Sequence, residues 1–146
     1  MTTLPLAVDD LLTELDAPLE QLAAGLPAGT TMGHVHFKVA AIAETVAFYR
    51  DVLGFALTAQ LGSEAAFLAA GGYHHHIGAN TWESAGAAPA PQGTAALRHA
   101  TIALPDAAER ARMLAAVEAA GHAAQETADG ILVRDPSGNA LMLSVS

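Results

Sequence analysis

The sequence predicts an α+β fold made of two tandem βαβββ modules. Three observations carry this expectation. Each half opens on a strictly alternating run, continues into a helical stripe ended by glycine, and closes with three short strand-like runs. The two opening runs begin 65 positions apart, and an ordered duplication accounts for that spacing most simply. An α+β sandwich without internal symmetry is the plainer alternative.

The elements follow in order. Residues 1–30 form a separate helical and linker segment. Val8–Leu15 has helical spacing with Asp9 and Asp10 near its start, a second short helix is expected from Pro18, and Leu26–Thr30 reads as a linker. The domain proper spans 31–146. Its first module, 32–82, opens with Gly33–Val39, which sets His34, His36 and Lys38 on one face and Val35, Phe37 and Val39 on the other. Ile42, Val46, Tyr49 and Leu53 mark a helix stopped by Gly54. Strands are expected at Phe55–Gln60, Ala65–Ala70 and Tyr73–Ala79. Residues 83–95, rich in Ala, Gly and Pro, are a linker. The second module, 97–146, repeats the order. Arg98–Leu104 alternates, Pro105-Asp106 opens a helix to Ala120 that Gly121 caps, and strands follow near Ala124–Glu126, Ile131–Arg134 and Ala140–Val145. Asp135-Pro136-Ser137-Gly138-Asn139 is a hairpin signal, with Asp135 as the turn former.

Composition narrows the function classes. With 146 residues, 52% hydrophobic and only 14% charged, the chain has material for one core. A net charge of −9 argues against nucleic-acid binding, because nothing would neutralise a run of phosphates. The absence of cysteine excludes disulfides, thiolate catalysis and Cys-ligated metal centres. No run reaches the roughly 18 apolar residues of a membrane span. The start, Met1-Thr2-Thr3-Leu4-Pro5, lacks the basic flank of a signal peptide, so a cytoplasmic location is expected.

Six of seven histidines fall at or in expected strands. His34 and His36 share a face, His74, His75 and His76 are consecutive, and His99 is the repeat counterpart of His34. Neutral imidazole is the commonest ligand for zinc, iron, copper and nickel. Two modules that each place a histidine at one strand position can hold an ion between them. A lone strand histidine is more often structural, yet the His-His-His run lies far from either terminus. His122 reads as a solvated turn residue.

Gly33-His34-Val35-His36, Phe48–Phe55, Gly71-Gly72-Tyr73-His74-His75-His76-Ile77-Gly78-Ala79-Asn80-Thr81-Trp82 and Asp135–Asn139 together resemble the vicinal-oxygen-chelate superfamily of glyoxalases, bleomycin-resistance proteins and extradiol dioxygenases. The histidine-rich block is similar to the C-terminal half of bacterial catechol-2,3-dioxygenase-like proteins. The resemblance implies a curved mixed sheet from both modules around one cleft, and a dioxygenase- or glyoxalase-like activity of oxidoreductase or lyase type. It implies a divalent ion, Fe(II) in the dioxygenases, with Zn, Mn or Ni also compatible. His34, His99 and His75 are its expected ligands, His75 and His74 are the acid–base candidates, and His36, Tyr73 and Met142 are expected to line the cleft. The family's carboxylate ligand falls on Met142, whose thioether is a poor Fe(II) partner. In the repeat, His75 is expected to hold the place in module one that Met142 holds in module two. Loss of the carboxylate leaves a second reading, a non-catalytic domain that sequesters a small molecule without metal. Because the chain resembles half of a longer protein, a homodimer or a partner half-chain is expected.

Overall fold

The computed structural model describes residues 5–13, 25–26, 28–91 and 93–145. The chain divides into two units, Met1–Gly33 and His34–Ser146. In the first, α1 (Val8–Thr13) carries Asp9 and Asp10 in its first turn, where the helix dipole favours them, and has no buried residue. The helix expected from Pro18 lies outside the described residues.

The second unit contains the repeat. Module one runs β1 (Val35–Lys38), α2 (Ile42–Val46) continuing as a π-helical segment Ala47–Val52, β2 (Ala56–Leu61), β3 (Ala65–Ala69) and β4 (Ile77–Asn80). Module two runs β5 (Ala100–Leu104), α3 (Ala107–Ala119), β6 (Ala124–Thr127), β7 (Gly130–Arg134) and β8 (Ala140–Val145). The strands form two four-stranded mixed sheets with the same order, β1-β4-β3-β2 and β5-β8-β7-β6. In each, the first strand pairs in parallel with the last, and the other pairings are antiparallel. The α+β class and the doubled βαβββ topology match the sequence expectation.

Alternation explains which face each strand buries. Phe37 on β1, Ile77 and Ala79 on β4, and Leu141 and Leu143 on β8 enter one hydrophobic core with Phe48, Tyr49, Leu53, Met113 and Val117. The expected helix Ile42–Leu53 is regular only to Val46. The wider π turns then let Leu53 N–H reach the Phe48 carbonyl at 3.1 Å, and Phe48, Tyr49 and Leu53 are all buried. The α3 helix starts as expected: the Asp106 carboxylate accepts from the Glu109 amide at 2.8 Å, and Gly121 follows its end at φ +77°.

Asp135 does more than form a turn. It is buried, and its oxygens accept from the Ser137 and Asn139 amides, the Asn139 side chain, and the Tyr49 hydroxyl of module one at 3.2 Å. The Ser137 hydroxyl accepts from the Ala40 amide at 2.9 Å, and Asn139 donates to the Lys38 carbonyl at 3.2 Å. This one turn therefore fastens module two to the end of β1. Burial, reinforced by the Asp135 carboxylate, pushes the Tyr49 hydroxyl far above the usual phenol range, so it remains a donor.

Candidate active site: a histidine-rich face on module one

Strand boundaries shift the expected site residues. The strand expected at Tyr73–Ala79 begins only at Ile77, so His74, His75 and His76 lie in a loop. Gly71 and Gly72, at φ +62° and +76°, turn the chain there in a conformation that suits glycine. The loop is tied down at several points. Thr58, left unpaired by a register shift in β2, donates its hydroxyl to the His74 carbonyl at 2.8 Å. The His76 amide reaches the Leu68 carbonyl at 2.9 Å, and the His76 carbonyl accepts from Val35. His34 and His99 both stand immediately before a first strand, β1 and β5, as the repeat requires.

The structure brings most of the candidates together on module one. The rings of His34 and His75 are 4.6 Å apart, those of His74 and His75 4.5 Å, and Tyr73 lies 4.2 Å from His74 and 4.6 Å from His76. Phe67 backs His75 at 5.1 Å and His36 at 6.1 Å, and Trp82 tilts over His36 at 6.0 Å. His34, His36, Tyr73 and His74 are exposed, while His75 and His76 are half-buried. The His75 Nδ1 atom is buried without a hydrogen-bond partner, a state that costs free energy in the absence of one. Burial, then the neighbouring imidazoles of His34, His74, His36 and His76, hold the His75 pKa below the usual histidine value. His36 is lowered too, by burial and then by His34. The positive charge of Lys38 on this face is matched by an ion pair with Glu83.

Two nitrogens of the cluster are already committed. His76 Nδ1 accepts from the Ala70 amide at 3.2 Å, and His36 Nε2 meets the Asn80 side-chain amide at 2.8 Å. His99 is half-buried and has no ring partner among the described residues. No three His, Asp or Glu side chains among the described residues are arranged to hold an ion by themselves. A depression of about 440 Å³ lies on module two, lined by Arg110, Glu126, Asp129 and Ser144 among others, and contains none of the expected site residues.

Register corrects the expected equivalence of His75 with Met142. In module one His36 pairs with Gly78, and in module two its counterpart Thr101 pairs with Met142. Gly78, not His75, is therefore the counterpart of Met142, because His75 sits in the loop before the strand. Met142, expected to line the cleft, is only 5% exposed, lies outside the main core cluster, and has its sulfur 3.6 Å from the Thr127 hydroxyl. Asn80 and Gly78 stand in the histidine-rich motif without a role that the sequence alone reveals. Alternation on β4 puts both on the histidine face, a signal that becomes usable once the parallel β1–β4 pairing is known.

Fold and site together define a duplicated βαβββ protein with an imidazole-rich open face. The chain belongs to the Glyoxalase/Bleomycin resistance protein/Dioxygenase superfamily, whose model matches residues 31–143. It is 37% identical to the Catechol-2,3-dioxygenase of Bacillus subtilis (strain 168) across 99% of its own length, and it spans 50% of that relative. A lactoylglutathione lyase structure from Agrobacterium tumefaciens shares the fold at TM-score 0.60 and 18% identity, over 82% of this chain and 96% of that one. A glyoxylase/bleomycin resistance protein/dioxygenase domain from Frankia sp. EAN1pec does so at 0.63 and 19%, over 80% and 98%.

Proposed function

We propose that this protein is a metal-dependent member of the superfamily that acts on a small oxygen-rich or aromatic molecule, as an extradiol dioxygenase does. The observation that carries the reading is the buried, unpartnered His75 Nδ1 beside His34. Two imidazoles that each bind one ion at about 2.1 Å have ring centres roughly 4.5–5 Å apart, and the His34–His75 pair fits that separation. His34 and His75 would hold the ion, and His99 of module two, which is not gathered with them, would join as a ligand only on metal binding. The bound ion supplies Lewis acidity to the oxygens of the ligand. Exposed His74, next to His75, would be the residue that moves a proton, and Phe67, Tyr73 and Trp82 provide planar surfaces. The chain spans 50% of the B. subtilis relative, and pairing with a second half, from another copy or a partner chain, is part of this reading.

The test is elemental analysis of untagged protein after anaerobic loading with Fe(II) or Zn(II). One ion per chain is expected, lost in both His34→Ala and His75→Ala. Metal retained in His75→Ala would overturn the ligand set.

Met142 favours a second reading, a non-catalytic binding domain. It is buried where the family places its carboxylate, and a thioether supplies no charge to an ion. Trp82 is the sole tryptophan and borders the histidine face, so its fluorescence reports occupancy there. Quenching by catechol in metal-free protein that takes up no ion would establish this reading over the first.

A further inference from the structure

We propose that Asn80 is a positioning residue that locks His36 as the neutral Nδ1–H tautomer, withholding its Nε2 from metal and leaving a hydrogen-bond donor on the open face. The inference rests on the metal reading only in asking which imidazoles remain free to ligate.

The Trp82 N–H can only donate, and it meets Asn80 Oδ1 at 3.3 Å. That contact fixes the orientation of the Asn80 carboxamide, so its NH₂ group faces His36 Nε2 at 2.8 Å. An amide nitrogen carries two donors and accepts nothing, so His36 Nε2 must be the lone-pair nitrogen and Nδ1 must carry the proton. Asn80 is itself only 6% exposed and pairs across the sheet with Lys38, which leaves its side chain little freedom to turn over.

A second contact holds the ring. A Cβ on residue 78 would lie 2.8 Å from His36 Nδ1 and 3.1 Å from Cε1, so the imidazole occupies space that only glycine leaves free. Trp82 and Phe67 flank the ring at 6.0 and 6.1 Å. With Nε2 engaged, Nδ1–H is the ring group of exposed His36 left to a ligand, and an N–H suits an acceptor oxygen and rejects a cation. Module two has no equivalent device, because Thr101, Met142 and Ser144 stand where His36, Gly78 and Asn80 stand in module one.

Long-range proton–nitrogen NMR of the full chain labelled with nitrogen-15, at about pH 8 where histidine is neutral, reads the tautomer directly. The expected spectrum assigns His36 a protonated Nδ1 and an unprotonated Nε2. Asn80→Asp should invert the pattern, since a carboxylate only accepts. Asn80→Leu should release it to the ordinary mixture. A protonated Nε2 in the unsubstituted protein overturns the proposal, and that measurement stands even where a variant fails to fold. An unchanged tautomer in folded Asn80→Asp overturns it as well. In a Zn(II) titration, signals of His34 and His75 should move while His36 Nε2 does not; Zn(II) at His36 Nε2 overturns the proposal. If no histidine responds to Zn(II), the metal reading falls while an unprotonated Nε2 still upholds the His36 assignment.

Discussion

The two modules share one topology and differ in what they place on the face away from the core. Module one carries His36, Phe67, Gly78 and Asn80 there, and module two carries Thr101, Leu132, Met142 and Ser144 at the matching register positions. In module one this face is a hydrogen-bonded imidazole and aromatic surface. In module two its centre is a buried methionine that fills space. A duplicated fold thus keeps both copies of its core pattern while imidazole and aromatic side chains gather on this face of one copy only.

The join between the modules gives the largest expected effect. Asp135→Ala leaves Tyr49 Oη, two backbone amides and Asn139 without their shared acceptor, and should cost about 3–5 kcal/mol in urea unfolding. A loss below about 1 kcal/mol, within the range of ordinary surface changes, would mean that the shared core alone holds the modules together.

Next comes the packing role of module two. Met142→Ala should cost about 2–4 kcal/mol through the cavity it leaves. Metal content should stay unchanged. Loss of metal with little loss of stability would reverse the division of labour between the modules.

The smallest effect is on pH dependence. His36 and His75 have folded pKa values below the usual 6.5, so the unfolded chain binds more protons than the folded one just below that value. Stability of the metal-free protein should be full above about pH 6.5 and fall as pH drops through the interval between the unfolded and folded values. Paired urea titrations at neutral and mildly acid pH check this. A slope that survives His36→Gln combined with His75→Gln would move its source to groups other than these two.

Much of the architecture was legible because periodicity is local. Alternation at Gly33–Val39 and Arg98–Leu104, the glycine-ended helices and the Asp-Pro-Ser-Gly-Asn turn each announce an element without distant partners. The π-helical half of the first helix was not legible, since Phe48, Tyr49 and Leu53 give a helical stripe in either geometry and only their common burial selects the wider one. Asp135 reads locally as a turn former, and its bond to Tyr49, 86 positions away, has no local signal.

The sequence by itself determined the doubled βαβββ plan, the core face of each strand, and the concentration of imidazoles in module one. These follow from residue type at short spacing. Tertiary structure alone decided which nitrogens are free and which are committed. His75 and His76 are neighbours in the chain, yet the Ala70 amide engages one while the Nδ1 of the other is buried without a partner. His36 and Asn80 are 44 positions apart and meet only because β1 and β4 pair in parallel with one register. Hydrogen bonds of that kind depend on positions to within about half an ångström, a precision that composition and periodicity do not carry.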